Sequence, residues 1–192
     1  MKVIGFTGNY DAQGNTSPES YLMADSSILF TGRPFFVPDF ARGFVARPTI
    51  VVRTGRLGKA IAPKFASRYW DAFTAGFSVQ AVDDSDGRLA ALDRAFDGAA
   101  IVGEWVAAAD VDDMLTTAVT LKVNDGLAAS CSLADMSHPL DQLLAAVSTR
   151  CSIKMGDLLF TGDAGDAHVL TPGDRLTATI AGRQVLDVKV RL

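Results

Sequence analysis

The chain has 192 residues, a length that suits one domain with a core of its own. With 48% hydrophobic residues and a mean hydropathy of +0.20, intrinsic disorder is excluded. A net charge of −4 and a pI near 5.1 supply no basic field for nucleic acid, and no apolar run reaches the length of a membrane span.

Residues 2–6 read as an opening strand that stops at Gly8-Asn9. This start turns polar too soon for a signal peptide, so a cytoplasmic location is expected. Residues 11–19 are rich in Gly, Asn, Ser and Pro and predict a loop. Short β-branched or aromatic runs predict strands at 26–30 and 49–53. Pro63 suits the first position of a helix, and Phe65, Tyr69, Trp70 and Phe73 then recur at helical spacing. Asp84-Ser85-Asp86-Gly87 is a turn, followed by a short helical pattern over 89–92.

Residues 99–105 predict a buried strand and 117–123 a half-exposed one. Leu140, Leu143, Leu144 and Val147 give 139–150 the pattern of an amphipathic helix. Strands are predicted at 158–160, 175–180 and 184–190, the last two joined through Ala181-Gly182. No repeat, low-complexity tract or linker interrupts the chain, so one domain over 1–192 is expected. Cys131 and Cys151 lack metal-type spacing and read as buried free thiols. Of the 22 acidic residues only Glu19 and Glu104 are glutamates, so no site can be built here from clustered glutamates.

Several motifs stand in a telling order. Gly8-Asn9-Tyr10 follows the first strand. Asp25 to Phe30 precedes Arg33-Pro34-Phe35-Phe36-Val37-Pro38. Val51-Val52-Arg53 leads to Arg56-Leu57-Gly58-Lys59. Arg94-Ala95-Phe96-Asp97-Gly98 and Val102-Gly103-Glu104-Trp105 come next, then Ala134-Asp135-Met136. The series closes with Lys154-Met155-Gly156-Asp157-Leu158-Leu159-Phe160-Thr161-Gly162 and Thr171-Pro172-Gly173-Asp174. In this order and spacing the chain resembles the fumarylacetoacetate hydrolase family, whose closing signature runs K-x-G-D-[LI]-[IL]-x-T-G-T-P…P-G-D. The resemblance implies a mainly β (α+β) fold, a mixed β roll with a few short helices, assembled as a homodimer. It also implies chemistry on small oxo-acids with a carboxylate-bound divalent metal.

The site positions depart from that pattern. The family's E-x-E pair places two metal carboxylates on one face of a strand, where residues two apart point the same way. Counted back from Val51-Val52, the pair falls on Arg47 and Thr49, and the third ligand, an aspartate, falls on Ser78. Asp83 or Asp84 could slide inward in another register. The histidine general base falls on Gln13, whose amide cannot take a proton. The oxyanion-stabilising lysine falls on Arg94, and the substrate-contacting glutamine on Ala129. In place of T-G-T-P-x-G-V-G the chain reads Thr161-Gly162-Asp163-Ala164-Gly165-Asp166-Ala167-His168. The stretch between Asp83 and Arg94 is also short for the family.

These changes imply that metal-dependent hydrolysis has been lost and that no cofactor is required. What remains is a binding or regulatory protein for a small anionic metabolite, or a partner of an active paralogue. The alternative is an active hydrolase, isomerase or decarboxylase of oxo-acids with a rebuilt, metal-free site. Arg47 and Arg94 would meet at the old metal position, and two close guanidinium groups call for a carboxylate or a bound anion between them. Asp97 and Asp163 are the expected partners. Asp97 follows Phe96 and is expected to orient Arg94. Asp163, Asp166 and His168 have metal-compatible types in a pattern of low specificity. Asn9 and Tyr10 are expected to close the first turn, and His138 to help start the helix after Pro139.

Overall fold

Alternation of period two is strongest where the sequence placed a helix. In the computed structural model, which describes residues 1–11, 17–82 and 90–192, the aromatic stretch after Pro63 is a 3₁₀ helix over Pro63–Tyr69 only. From Trp70 the chain becomes a 13-residue strand, Trp70–Val82. Phe73, Ala75, Phe77, Val79 and Ala81 point to the main core. Thr74, Gly76, Ser78 and Gln80 take the other face. A strand presents alternate residues to opposite faces, so this pattern suits no helix.

In chain order the described strands are β1 (Val3–Thr7), β2 (Glu19–Met23), β3 (Ile28–Phe30), β4 (Phe35–Phe36), β5 (Gly43–Thr54) and β6 (Trp70–Val82). They continue with β7 (Ala100–Val102), β8 (Val106–Ala107), β9 (Val119–Val123) and β10 (Gly126–Cys131). After the helix α1 (Leu140–Arg150) come β11 (Leu158–Phe160), β12 (His168–Val169), β13 (Arg175–Ile180) and β14 (Arg183–Arg191). The first sheet has the order β2-β1-β11-β5-β6-β7-β3, with β12 on β5 and β8 on β6. The second has the order β10-β9-β13-β14-β4. Parallel pairs (β1 with β11, β3 with β7, β4 with β14) sit among antiparallel ones. The fold is the mixed β roll expected from the motifs.

The sequence missed β2 and β10 and understated β5, which runs through Arg47 and Thr49 rather than beginning at the latter. Only Ile28–Phe30 of 26–30 is strand, because Asp25–Ser27 is a 3₁₀ turn. The strand expected over 99–105 is three residues long, and Glu104 beyond it is exposed. The short helix expected at 89–92 is a 3₁₀ turn, Ala90–Leu92; Asp84-Gly87 lies outside the described residues. Cys131 is buried, whereas Cys151 is half-exposed rather than buried.

The main core lies between the two sheets and α1. It joins Phe44 and Ile50 of β5, Phe73 and Phe77 of β6, Leu121, Leu176 and Leu186 of the second sheet, and Leu143 and Leu144 of α1. A second cluster fills the opposite face of the first sheet: Val3, Met23, Val51, Ala100, Val102, Leu158 and Phe160, with Tyr21, Ile28 and Trp105 packed on it. Tyr21 shows how that face is shaped. It stands on edge strand β2, yet its hydroxyl donates to Ser78 Oγ of β6 at 2.9 Å. Four inter-strand steps separate these strands, about 19 Å in a flat sheet. The contact therefore requires a curled sheet with this face concave.

Asn9 fastens the first turn to the C-terminal half. Its side-chain amide donates to Thr161 O and His138 O, and its Oδ1 accepts the His138 N–H. Tyr10 Oη lies 2.9 Å from Thr161 Oγ1. Both residues are structural anchors here, and His138 enters the helix through this junction.

Candidate functional site

The concave face gathers a polar group at one end of the β5–β6 ladder. Arg47 of β5 stands directly opposite Ser78 of β6, and Val45 stands opposite Gln80. Opposed residues of an antiparallel pair share a face, so Arg47, Ser78 and Gln80 project together with Tyr21. Arg47 is thus on a strand paired on both sides of its length, not on a free edge. Thr49, two residues along, is 1% exposed and hydrogen-bonds to the Ile50 carbonyl, beneath the polar group. Arg94 follows the Ala90–Leu92 turn, which the Ala81 N–H ties to β6 by donating to Asp93 O at 2.8 Å.

These side chains form one network. Arg94 donates to Ser78 Oγ at 3.1 Å and to Gln80 Oε1 at 3.0 Å, and its guanidinium lies 4.3 Å from the Tyr21 ring centroid. Arg47 donates to the same Gln80 oxygen at 3.0 Å. Its Nε is 3.7 Å from Asp163 Oδ2. A neutral amide thus bridges two guanidinium groups, with one carboxylate beside them. Asp163 Oδ1 is buried without a hydrogen-bond partner among the described residues. Burial pushes the Asp163 carboxyl above the ordinary range, and the charges of Arg94 and Arg47 pull it only part of the way back. Burial likewise raises Tyr21, against the opposing pull of Arg94 and the Ser78 hydrogen bond.

The other candidates fall elsewhere. Asp97 is exposed and, among the described residues, forms no ion pair with Arg94 or Arg47. Gln80, Ser78 and Tyr21 hold Arg94 instead. Ala129 is buried in the main core. Gln13, Asp83 and Asp84 lie outside the described residues. His168 is 3.2 Å from Asp174, whose carboxylate also accepts from the Thr171 N–H and hydroxyl and from Asn124. That cluster ties the Pro172-Gly173 turn and does not join Asp163. Sequence reasoning missed Tyr21 and Gln80. Gln80 was legible as the residue two beyond Ser78 on an alternating strand. Tyr21 had a weaker signal, because it is paired with Gly5, where an added Cβ would sit 2.1 Å from its ring.

Among the described residues, those gathered at this site do not suit a divalent cation. Hard cations take several oxygen ligands including carboxylates. The three positions to which the resemblance assigns acidic ligands hold a guanidinium and two hydroxyls here. Among the described residues no three His, Cys, Asp or Glu side chains converge. Two guanidinium groups add repulsion toward any cation placed between them. What the arrangement can do is receive an anion.

A model of the fumarylacetoacetate (FAA) hydrolase C-terminal domain matches residues 7–191. A 4-hydroxyphenylacetate degradation bifunctional isomerase/decarboxylase of Salmonella dublin is 23% identical over 167 residues, which is 87% of this chain and 38% of that protein. An oxaloacetate tautomerase of Escherichia coli (strain K12) is 31% identical over 93 residues, 48% of this chain and 42% of that one. The chain thus spans less than half the length of these curated relatives. The crystal structure of fumarylpyruvate hydrolase from Pseudomonas aeruginosa in complex with Mn²⁺ and pyruvate superposes with a TM-score of 0.88 at 19% identity, covering 100% of this chain and 90% of that one. The motifs, the curled mixed sheet and a family match that runs nearly from end to end agree: the chain belongs to the fumarylacetoacetate hydrolase family.

Proposed function

We propose that the protein binds a small carboxylate anion at Arg94 and Arg47 without metal-dependent turnover. The observation that carries this reading is the substitution of Arg47, Thr49 and Ser78 for acidic ligands on one face of the β5–β6 ladder, with Arg94 reaching the same spot. A guanidinium presents paired N–H donors in a fork that matches a carboxylate. Ser78, Gln80 and the Tyr21 ring hold that fork in place before any ligand arrives, which reduces the ordering cost of binding.

Calorimetry with pyruvate and with oxaloacetate, in the presence and absence of Mn²⁺, tests the proposal. Binding should be independent of the metal and should disappear in Arg94→Ala. With Mg²⁺ or Mn²⁺ added, neither acylpyruvates nor oxaloacetate should be consumed faster than in protein-free controls containing the same metal. Turnover of roughly 1 s⁻¹, an ordinary enzyme rate, would overturn the reading.

One observation favours the second reading, an oxo-acid isomerase or decarboxylase without metal. Burial raises the pKa of Asp163, and one of its oxygens has no hydrogen-bond partner among the described residues, the properties of a carboxyl that can hold and pass a proton. Metal-independent acceleration of proton exchange at C3 of oxaloacetate above the protein-free rate, followed by NMR in deuterated buffer and lost in Asp163→Asn, would select this reading.

A further inference from the structure

Beside Arg94 the chain leaves a cleft of about 870 Å³ along β2, the edge strand of the first sheet. This volume is within the usual range for small-molecule sites, about 300–1,000 Å³. Its wall is chemically one-sided. Arg94, Gln80 and Tyr21 line it from the concave side of the first sheet; round the β2 edge the wall continues with Leu22, Ile4, Phe6 and Val147 on the main-core side, and Ser20 and Arg150 add polar groups. Leu22 is 65% exposed, a large apolar side chain on this open wall. The surface beyond the arginine thus rewards burial of a hydrocarbon and offers little to a second charge.

The charge balance points the same way. Among the described residues Arg47 and Arg94 share one carboxylate, Asp163, which lies 3.7 Å from Arg47 and also feels the charge of Arg94, so with Asp163 ionised one positive charge is in surplus. The hydrogen-bond and ring partners of Arg94 among the described residues are uncharged: the Ser78 hydroxyl, the Gln80 amide oxygen and the Tyr21 ring. One surplus cation matches one carboxylate. A second carboxylate on the ligand would be pressed against apolar walls, where an unpaired charge is costly. Arg150 also reaches the cleft, but it is exposed and donates to the carbonyl of Ala146 in its own helix at 3.3 Å. A solvated rim charge of this kind adds little to affinity.

We infer that the ligand of this site is a monocarboxylate with an apolar tail, its carboxylate on Arg94 and its tail along β2 toward α1. The inference rests on the anion-binding reading above and specifies the class of anion.

Calorimetry of the full chain at pH 7 with acetate, butyrate, hexanoate and adipate tests it. Each methylene removed from water strengthens binding by roughly three- to fourfold, so hexanoate should bind at least about tenfold more tightly than acetate. Adipate, the same six carbons with a second carboxylate, should bind more weakly than hexanoate. Leu22→Ser, an uncharged change at an exposed position, should bring hexanoate down toward acetate, read as the ratio of the two affinities. Equal affinities for acetate and hexanoate, adipate binding as well as or better than hexanoate, or an unaltered hexanoate-to-acetate ratio in Leu22→Ser would each overturn the apolar-tail inference and leave the anion site standing. If none of the four binds, the anion reading fails and this inference with it.

Discussion

Gly5 controls the site from below. It faces Tyr21 across the β1–β2 pair, and the tyrosine ring occupies the space that a side chain at position 5 would fill. The ring in turn supports the Arg94 guanidinium by a cation–π contact. Gly5→Ala should therefore displace Tyr21 and loosen Arg94, lowering acetate affinity by roughly three- to tenfold in calorimetry. Tyr21→Phe keeps the ring and removes only the hydrogen bond to Ser78, so it should retain most of the affinity.

Asp157 offers a second test at this scale. It is fully buried and clamps the N-terminus to the loop before β11, accepting from the Lys2 side chain, the Lys2 N–H and the Lys154 N–H. Burial alone would raise its pKa, but these hydrogen bonds and the Lys2 charge outweigh it and hold the carboxyl below its ordinary value of 3.8. A depressed pKa stabilises the folded state fully above the ordinary value, and that stabilisation is lost as pH falls through the folded-state value. Acid unfolding should thus begin below about pH 4. Asp157→Asn should unfold with a loss on the order of 2–3 kcal/mol at neutral pH and with a weaker dependence on acid, as measured by urea titration at several pH values.

At the scale of elements, the β5–β6 ladder gathers the positions to which the resemblance assigns metal ligands. Arg47 and Thr49 share a face of β5, and Ser78 is opposite Arg47. The triple change Arg47→Glu, Thr49→Glu, Ser78→Asp would put three carboxylates on that face, and Mn²⁺ binding should then appear in a titration where the unaltered chain gives none. No gain in Mn²⁺ affinity in a folded variant would count against the ancestry assigned to these positions.

This ladder was also where the sequence was hardest to read. The position of Ser78 followed from motif spacing, while its strand did not. Phe65, Tyr69, Trp70 and Phe73 fit a helical repeat, and that repeat masked the alternation of Phe73, Ala75, Phe77, Val79 and Ala81 with Thr74, Gly76, Ser78 and Gln80. Both patterns use Phe73, and only tertiary pairing with β5 decides between them. The hairpin at Ala181-Gly182, by contrast, was plain: both residues have positive φ, 49° and 78°, as a tight primed turn requires. The pairing of Arg47 with Asp163 followed from charge alone. The bridging role of Gln80 did not, because an uncharged amide announces nothing until its neighbours are known.

For the whole molecule, the sheet order has a consequence for how the protein is made. β11 lies between β1 and β5, so the middle of the first sheet waits for a segment about 150 residues behind its first strand. Pairings this distant in sequence form slowly, because the loop must be closed before any contact rewards it. On the ribosome, β1 can pair with β2 early, but its other edge stays open until Leu158 to Phe160 have left the exit tunnel. A nascent chain arrested before that point should remain protease-sensitive throughout, and one arrested well past residue 191 should give the resistant domain. During most of its synthesis this protein is a set of separate strand pairs, and the face that carries Arg47 and Arg94 is complete only when the last third of the chain closes the sheet.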